Sequence, residues 1–145
     1  MENKKSLQDL YQEIYELLAK SEEEEEEEAD DAPNFGLPEY WDDRYRQETE
    51  PYEWFISYSD ISNHINYFLN DQKYNKALNL GCGNSVLFLE IQKYFNDIYN
   101  IDISGVVIDQ LKEKYKDNKI QHFEKMDCTQ LNYPPLYFEV VFDKE

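Results

Sequence analysis

Ala77-Leu78-Asn79-Leu80-Gly81-Cys82-Gly83-Asn84-Ser85 decides the reading of this chain. A short apolar run, a strand by its length, ends in two glycines, and Val86 to Phe95 then carries Val86, Leu87, Leu89, Ile91, Tyr94 and Phe95 as a helical run. Glycines between a strand and a helix permit a tight turn and let a ligand touch the backbone. A plain turn between core elements would read the same way, so the loop alone is a weak signal.

Asp102 adds what the loop lacks. It closes a second strand, Ile98 to Ile103, nineteen residues after Gly83, where a carboxylate accepts hydrogen bonds from both hydroxyls of a ribose. An Asp at a strand end is often only a helix cap, but Ser104 can cap the next helix and free Asp102. Dinucleotides need a third glycine where the helix starts, and this chain has Val86 there. Asn84 and Ser85 suit an amino-acid moiety instead, which favours S-adenosylmethionine. Asp127 follows a third strand in Met126-Asp127-Cys128; it can read an adenine amino group or simply occupy a surface turn.

Outward from this centre the pattern alternates. A helix is expected over Val106 to Tyr115, a strand over Ile120 to Glu124 and a fourth strand over Tyr137 to Phe142. The fold class is therefore α/β, a Rossmann-like parallel sheet with right-handed crossovers. Upstream, Ile61 to Leu69 is helical, capped by Ser59 or Asp60. Pro38 to Tyr58 holds seven aromatic residues, which make either a core collar or a ligand lid.

The 145 residues suit one core of modest size. Residues 1–20 contain an amphipathic helix, Ser6 to Lys20, with Leu7, Leu10, Tyr11, Ile14, Leu17 and Leu18 on one stripe. Residues 21–34 form an acidic low-complexity linker, and the folded domain is expected over 35–145. Acids outnumber bases 32 to 14, a net charge of -18, which disfavours nucleic acid and favours cationic partners. Half of that excess lies in Glu22 to Asp31. No apolar run approaches the roughly 18 residues of a membrane span, and the N-terminus begins polar rather than with a basic-then-apolar signal, so a soluble, unexported protein is expected. Cys82 and Cys128 lack the spacing of a zinc site, so no metal is expected and a reducing cytoplasm is. His64 and His122 show no catalytic spacing.

Seven segments in order carry a resemblance: Tyr40-Trp41-Asp42-Asp43-Arg44-Tyr45, Tyr52-Glu53-Trp54-Phe55, Leu80 to Ser85, Asn100 to Ser104, Val106-Val107-Ile108, Met126-Asp127 and Phe142-Asp143-Lys144. From Phe35 to Lys144 the chain resembles the class I methyltransferases that modify lysines, and in some members the N-terminus, of eukaryotic elongation factor 1A. The resemblance implies S-adenosyl-L-methionine as cofactor, held at its methionine part by Gly81, at the ribose by Asp102, and at the adenine by Ile103, Asp127 and Cys128. It implies an aromatic wall of Trp41, Tyr45 and Trp54, a cofactor- or substrate-side contact from Lys144, and a basic protein acceptor such as elongation factor 1A. No catalytic base is evident; groups near Asp143 and Tyr45 are candidates for deprotonating the acceptor amine.

The family continues past the Lys144 position into a glycine and a second half of the sheet, where this sequence has Glu145. The expectation is an N-terminal half, strands 1 to 4, with Val140, Val141 and Phe142 poorly covered at an edge and weak activity by itself. Two further readings share these residues: an inactive cofactor-binding or interaction module, and a methyltransferase acting on small molecules.

Overall fold

The computed structural model describes residues 33–144, and the expected N-terminal helix and most of the acidic linker lie outside them. In chain order the elements are α1 (Pro38–Gln47), α2 (Tyr58–Leu69), β1 (Tyr74–Leu80), α3 (Leu87–Ile91), β2 (Phe95–Asp102), α4 (Gly105–Lys114), β3 (Gln121–Lys125) and β4 (Val140–Asp143). All strand pairs are parallel, in the order β3-β2-β1-β4. From β1 the chain winds outward through β2 and β3, then crosses back to place β4 on the other side of β1. The sheet thus reverses its winding between β1 and β4, and ligands of open α/β sheets bind beyond the strand ends at such a point.

Several boundaries differ from the sequence reading, each for a local reason. Strand β2 starts at Phe95 because α3 tightens into a 3-10 turn at Gln92–Tyr94, and Phe95 is then fully buried as a strand residue. The helix cap falls at Ser57 rather than Ser59 or Asp60. Asp60 sits three residues inside α2 and its carboxylate accepts the Ser57 backbone N–H at 2.7 Å. The fourth strand starts at Val140; Tyr137 and Phe138 precede it and pack around Tyr99.

Val140 and Phe142 pack against the core, Phe142 edge-on to Phe95 at 5.9 Å, and only Val141 points outward. The expectation that all three are poorly covered is corrected to that one residue, because alternate strand residues face opposite sides. His122, read as an ordinary histidine without catalytic spacing, bonds Asp97 on the neighbouring strand at 2.7 Å.

The face of the sheet beneath α3 and α4 buries Ala77, Phe88, Phe95, Ile98, Val107 and Ile108. Across this apolar face runs a row of amides, Asn79 and Asn100 opposite each other in register and Gln121 diagonal to Asn100 on β3. Asn79 donates to Asn100 at 3.0 Å, Asn100 to Gln121 at 2.9 Å, and Gln121 to the Phe88 carbonyl at 3.1 Å. Asn79, Asn100 and Gln121 are all buried, so each partner satisfies a group that water cannot reach. The row fixes the register of three strands at once. Asn100→Ala leaves the Asn79 Nδ2 and the Gln121 Oε1 without their partner, and urea unfolding should show a loss of roughly 1–3 kcal/mol; an unmoved midpoint would mean that the row contributes nothing to stability.

Candidate functional site

The loop after β1 and the end of β2 are joined by one carboxylate. Gly81 and Gly83 both adopt left-handed backbone, φ +55° and +47°, which only glycine takes without strain. That bend aims the Gly83 N–H at Asp102 Oδ2, 2.8 Å away, while Oδ1 accepts the Ser104 N–H at 2.9 Å. Asp102 is buried, and burial raises its pKa above the ordinary carboxylate value despite these N–H donors. Each oxygen keeps a lone pair for a further donor. Ser104 does cap α4, its Oγ accepting the Val107 N–H at 3.3 Å.

Helix α1 roofs the loop. Tyr45 is buried with its hydroxyl so close to Gly83 that a Cβ there would stand 2.6 Å from it. At Gly81, by contrast, nothing lies within 4 Å of that position, which leaves open room beside its backbone. Trp41 stacks on Tyr45 at 6.0 Å, and Trp54 meets Trp41 edge-on at 6.2 Å. The three expected wall residues therefore form one continuous aromatic series over the loop. Among them sits the Arg44 guanidinium, 4.6 Å from the Trp54 ring and 5.9 Å from those of Trp41 and Tyr52.

Two carboxylates that sequence reasoning left without a role hold the roof in place. Asp42 on α1 accepts from Ser104 Oγ at 2.5 Å and Val106 N–H at 3.2 Å, joining α1 to the start of α4. Glu53 accepts from Ser85 Oγ at 2.8 Å, from the Val86 N–H at 2.8 Å and from Lys144 Nζ at 3.0 Å. Asn84 donates to the carbonyls of Glu48 and Glu50 at 3.2 and 2.6 Å. The signal available was the polar Asn84-Ser85 pair, whose partners lie more than thirty residues upstream.

The remaining expected residues sit nearby but are engaged differently. Ile103 is half-buried directly after Asp102. The Met126 N–H donates to the Asp102 carbonyl at 2.9 Å, bringing the next segment to the same strand end. Asp127 there is half-buried and accepts from the backbone and hydroxyl of Thr129 at 2.8 and 2.7 Å; the hydroxyl, then the N–H, lower its pKa. Cys128 is exposed, and Cys82 is buried with its thiol pKa pushed up by burial and by Asp102. Lys144, at the end of β4, donates to the Trp54 and Ile56 carbonyls at 3.3 and 3.1 Å. Among the described residues no group of three or more His, Cys, Asp or Glu side chains is arranged to hold a metal ion, and no helix is long and apolar enough to cross a membrane.

Comparison with known proteins agrees with this geometry. Residues 78–145 match the methyltransferase domain family. In that stretch the chain is similar to the methyltransferases. It is 37% identical over 113 residues to a mouse protein named eEF1A lysine and N-terminal methyltransferase, covering 76% of this chain and 16% of that one. It is 35% identical over 109 residues to bovine EEF1A lysine methyltransferase 4, covering 73% of this chain and 42% of that one. The chain thus spans less than half the length of these relatives. In fold it is similar to the YcgJ protein of Bacillus subtilis, with TM-score 0.50 and 12% identity over 57% of this chain and 36% of that one.

Glu53 supplies a pH test of the roof. Burial disfavours its charge, but the Val86 N–H, Lys144 and Ser85 outweigh that and lower its pKa. A carboxylate with a lowered folded-state pKa stabilises the fold above its unfolded pKa, and that contribution disappears as pH falls through the folded value. Glu53→Gln should therefore lower stability at pH 7 by about 1 kcal/mol, a screened value for a part-exposed charge. The difference from wild type should vanish in acid; a gap that persists at pH 3 would assign the effect to packing.

Proposed function

We propose that the chain binds S-adenosylmethionine beside Gly81 and supports methyl transfer to a lysine of a basic protein, elongation factor 1A being the acceptor suggested by the relatives' names. The observation that carries the cofactor reading is the buried Asp102 carboxylate at the end of β2, bonded to the Gly83 N–H beside the open room at Gly81. A ribose can lie against Asp102 and use its remaining lone pairs, while Trp41, Tyr45 and Trp54 cover the methionine part.

A second observation argues against a dinucleotide. Glu53 already accepts the Val86 N–H where α3 starts, so a pyrophosphate approaching that position meets a carboxylate. The neutral or cationic parts of S-adenosylmethionine suffer no such repulsion.

When bound, that cofactor supplies an electrophilic methyl on a sulfonium. The chain's own residues then act by placement. Asp102 orients the nucleoside, the roof on α1 excludes water, and the acidic surface draws in a cationic acceptor. No side chain stands out as the base; the reading leaves the amine's proton to groups near Asp143 and Tyr45 or to solvent. The reading puts the chain in the cytoplasm with its acceptor. An inactive binding module or a small-molecule methyltransferase would use the same pocket and differ only at the acceptor.

The test has two arms. Calorimetric titration with S-adenosylmethionine and with NAD should show the former binding more tightly, and incubation with labelled cofactor and purified elongation factor 1A should place label on lysine. Tighter NAD binding would end the cofactor reading, and label confined to small amines would end the acceptor reading. Asp102→Ala should weaken cofactor binding by roughly 1–3 kcal/mol. Because the Gly83 N–H then loses its partner as well, the thermal midpoint should fall too; unchanged affinity would leave Asp102 a purely structural tie.

A further inference from the structure

Phe55 is the most exposed aromatic side chain among the described residues, 86% accessible, and it stands in the segment that closes the roof. Its backbone φ is +55°, a region that suits glycine and is uncommon for a bulky residue. The Ile56 N–H donates to the Trp54 carbonyl at 2.5 Å, closing a three-residue turn of the rare, strained hand around Phe55. Lys144 bonds the carbonyls on both sides of it, at Trp54 and Ile56, and is itself paired with Glu53. The Lys144 side chain is only 9% exposed, so this clasp is well shielded from water.

Three anchors hold a residue in strain, yet its ring is not among the core residues. Strain kept in place by its surroundings, on a side chain the fold does not use, points to recognition. The position is specific. Lys144 follows β4 and Ser85 follows β1, so Phe55 stands beyond the strand ends where the sheet reverses its winding. Its ring is 6.1 Å from Trp54, the last member of the aromatic series that starts over Gly83. Leu136 also combines positive φ with full exposure, but it precedes β4, toward the opposite ends of the strands, and no clasp holds it.

We infer that Phe55 is the acceptor-side contact of the site, an aromatic lip that packs on the apolar stem and neighbours of the target lysine in a basic protein. The inference rests on the protein-methyltransferase reading above. A lysine entering the crevice must pass its four methylenes over an apolar surface before its nitrogen meets the methyl group. Phe55, with the exposed Tyr52 and Ile56 beside it, offers that surface, and the exposed Glu50 in the same stretch complements its charge.

The experiment titrates purified elongation factor 1A into the chain saturated with S-adenosylhomocysteine, for wild type, Phe55→Gly and Phe55→Tyr. Phe55→Gly should raise the thermal midpoint, because glycine takes this φ freely, while leaving cofactor Kd within about twofold and weakening the acceptor about tenfold or more. Phe55→Tyr should keep acceptor affinity. A wild-type chain that binds the acceptor, with Phe55→Gly binding it equally well, overturns the inference and leaves the function reading intact. A lowered midpoint in Phe55→Gly also overturns it, since the ring would then be a packing element. Cofactor binding by wild type without any acceptor binding removes the reading on which the inference stands, and the inference with it.

Discussion

The architecture of the site depends on one buried carboxylate with two backbone donors. Asp102 receives the Gly83 N–H and the Ser104 N–H, so the loops that leave β1 and β2 are tied to each other rather than only to their own strands. Removing an ion from water is costly, and the raised pKa of Asp102 shows that its two donors do not fully offset the burial. A buried carboxylate gains from any further hydrogen-bond donor that arrives, which is the energetic basis for a hydroxyl-bearing ligand to bind there. The glycines serve the same tie, because only left-handed backbone turns the Gly83 N–H toward β2.

Around this centre the aromatic helix α1 is held by polar contacts at its middle and just past its end. Asp42 binds the start of α4, and Asn84 binds the carbonyls just past the end of α1. Gln110 adds a bond from α4 to the Tyr45 carbonyl at 3.0 Å. Tyr45 can therefore stay pressed against Gly83 without a hydrogen-bond network of its own, and Trp41 and Trp54 follow its placement.

Much of this was legible in the sequence, and the reason is local. The strand, Gly81-Cys82-Gly83 and Asp102 are set by periodicity and turn chemistry within about 25 residues, and Ser104 is recognisable as a cap from its position alone. What escaped was non-local. Glu53 and Asp42 look like any surface acids until folding brings Val86, Lys144 and Ser104 to them. Phe95 reads as a helix residue because its apolar spacing continues that of α3, yet the 3-10 turn at Gln92–Tyr94 ends the helix and hands it to the strand. The pairing of His122 with Asp97 depends on strand register, which no short window reveals.

The Lys144 clasp has a consequence for the order in which the molecule assembles. Its bond to the Trp54 carbonyl spans 90 residues, the longest of the side-chain bonds described above, and it exists only once β4 has docked beside β1. Contacts of such separation form late, because the intervening loop must be closed before they contribute anything. A chain emerging during synthesis can build β1, β2 and the Gly loop early, yet the Trp54 and Ile56 carbonyls lack their shared donor until residue 144 arrives. Ligand affinity at the roof is then a report on completed folding, and a partly folded chain has no finished site with which to capture cofactor or substrate.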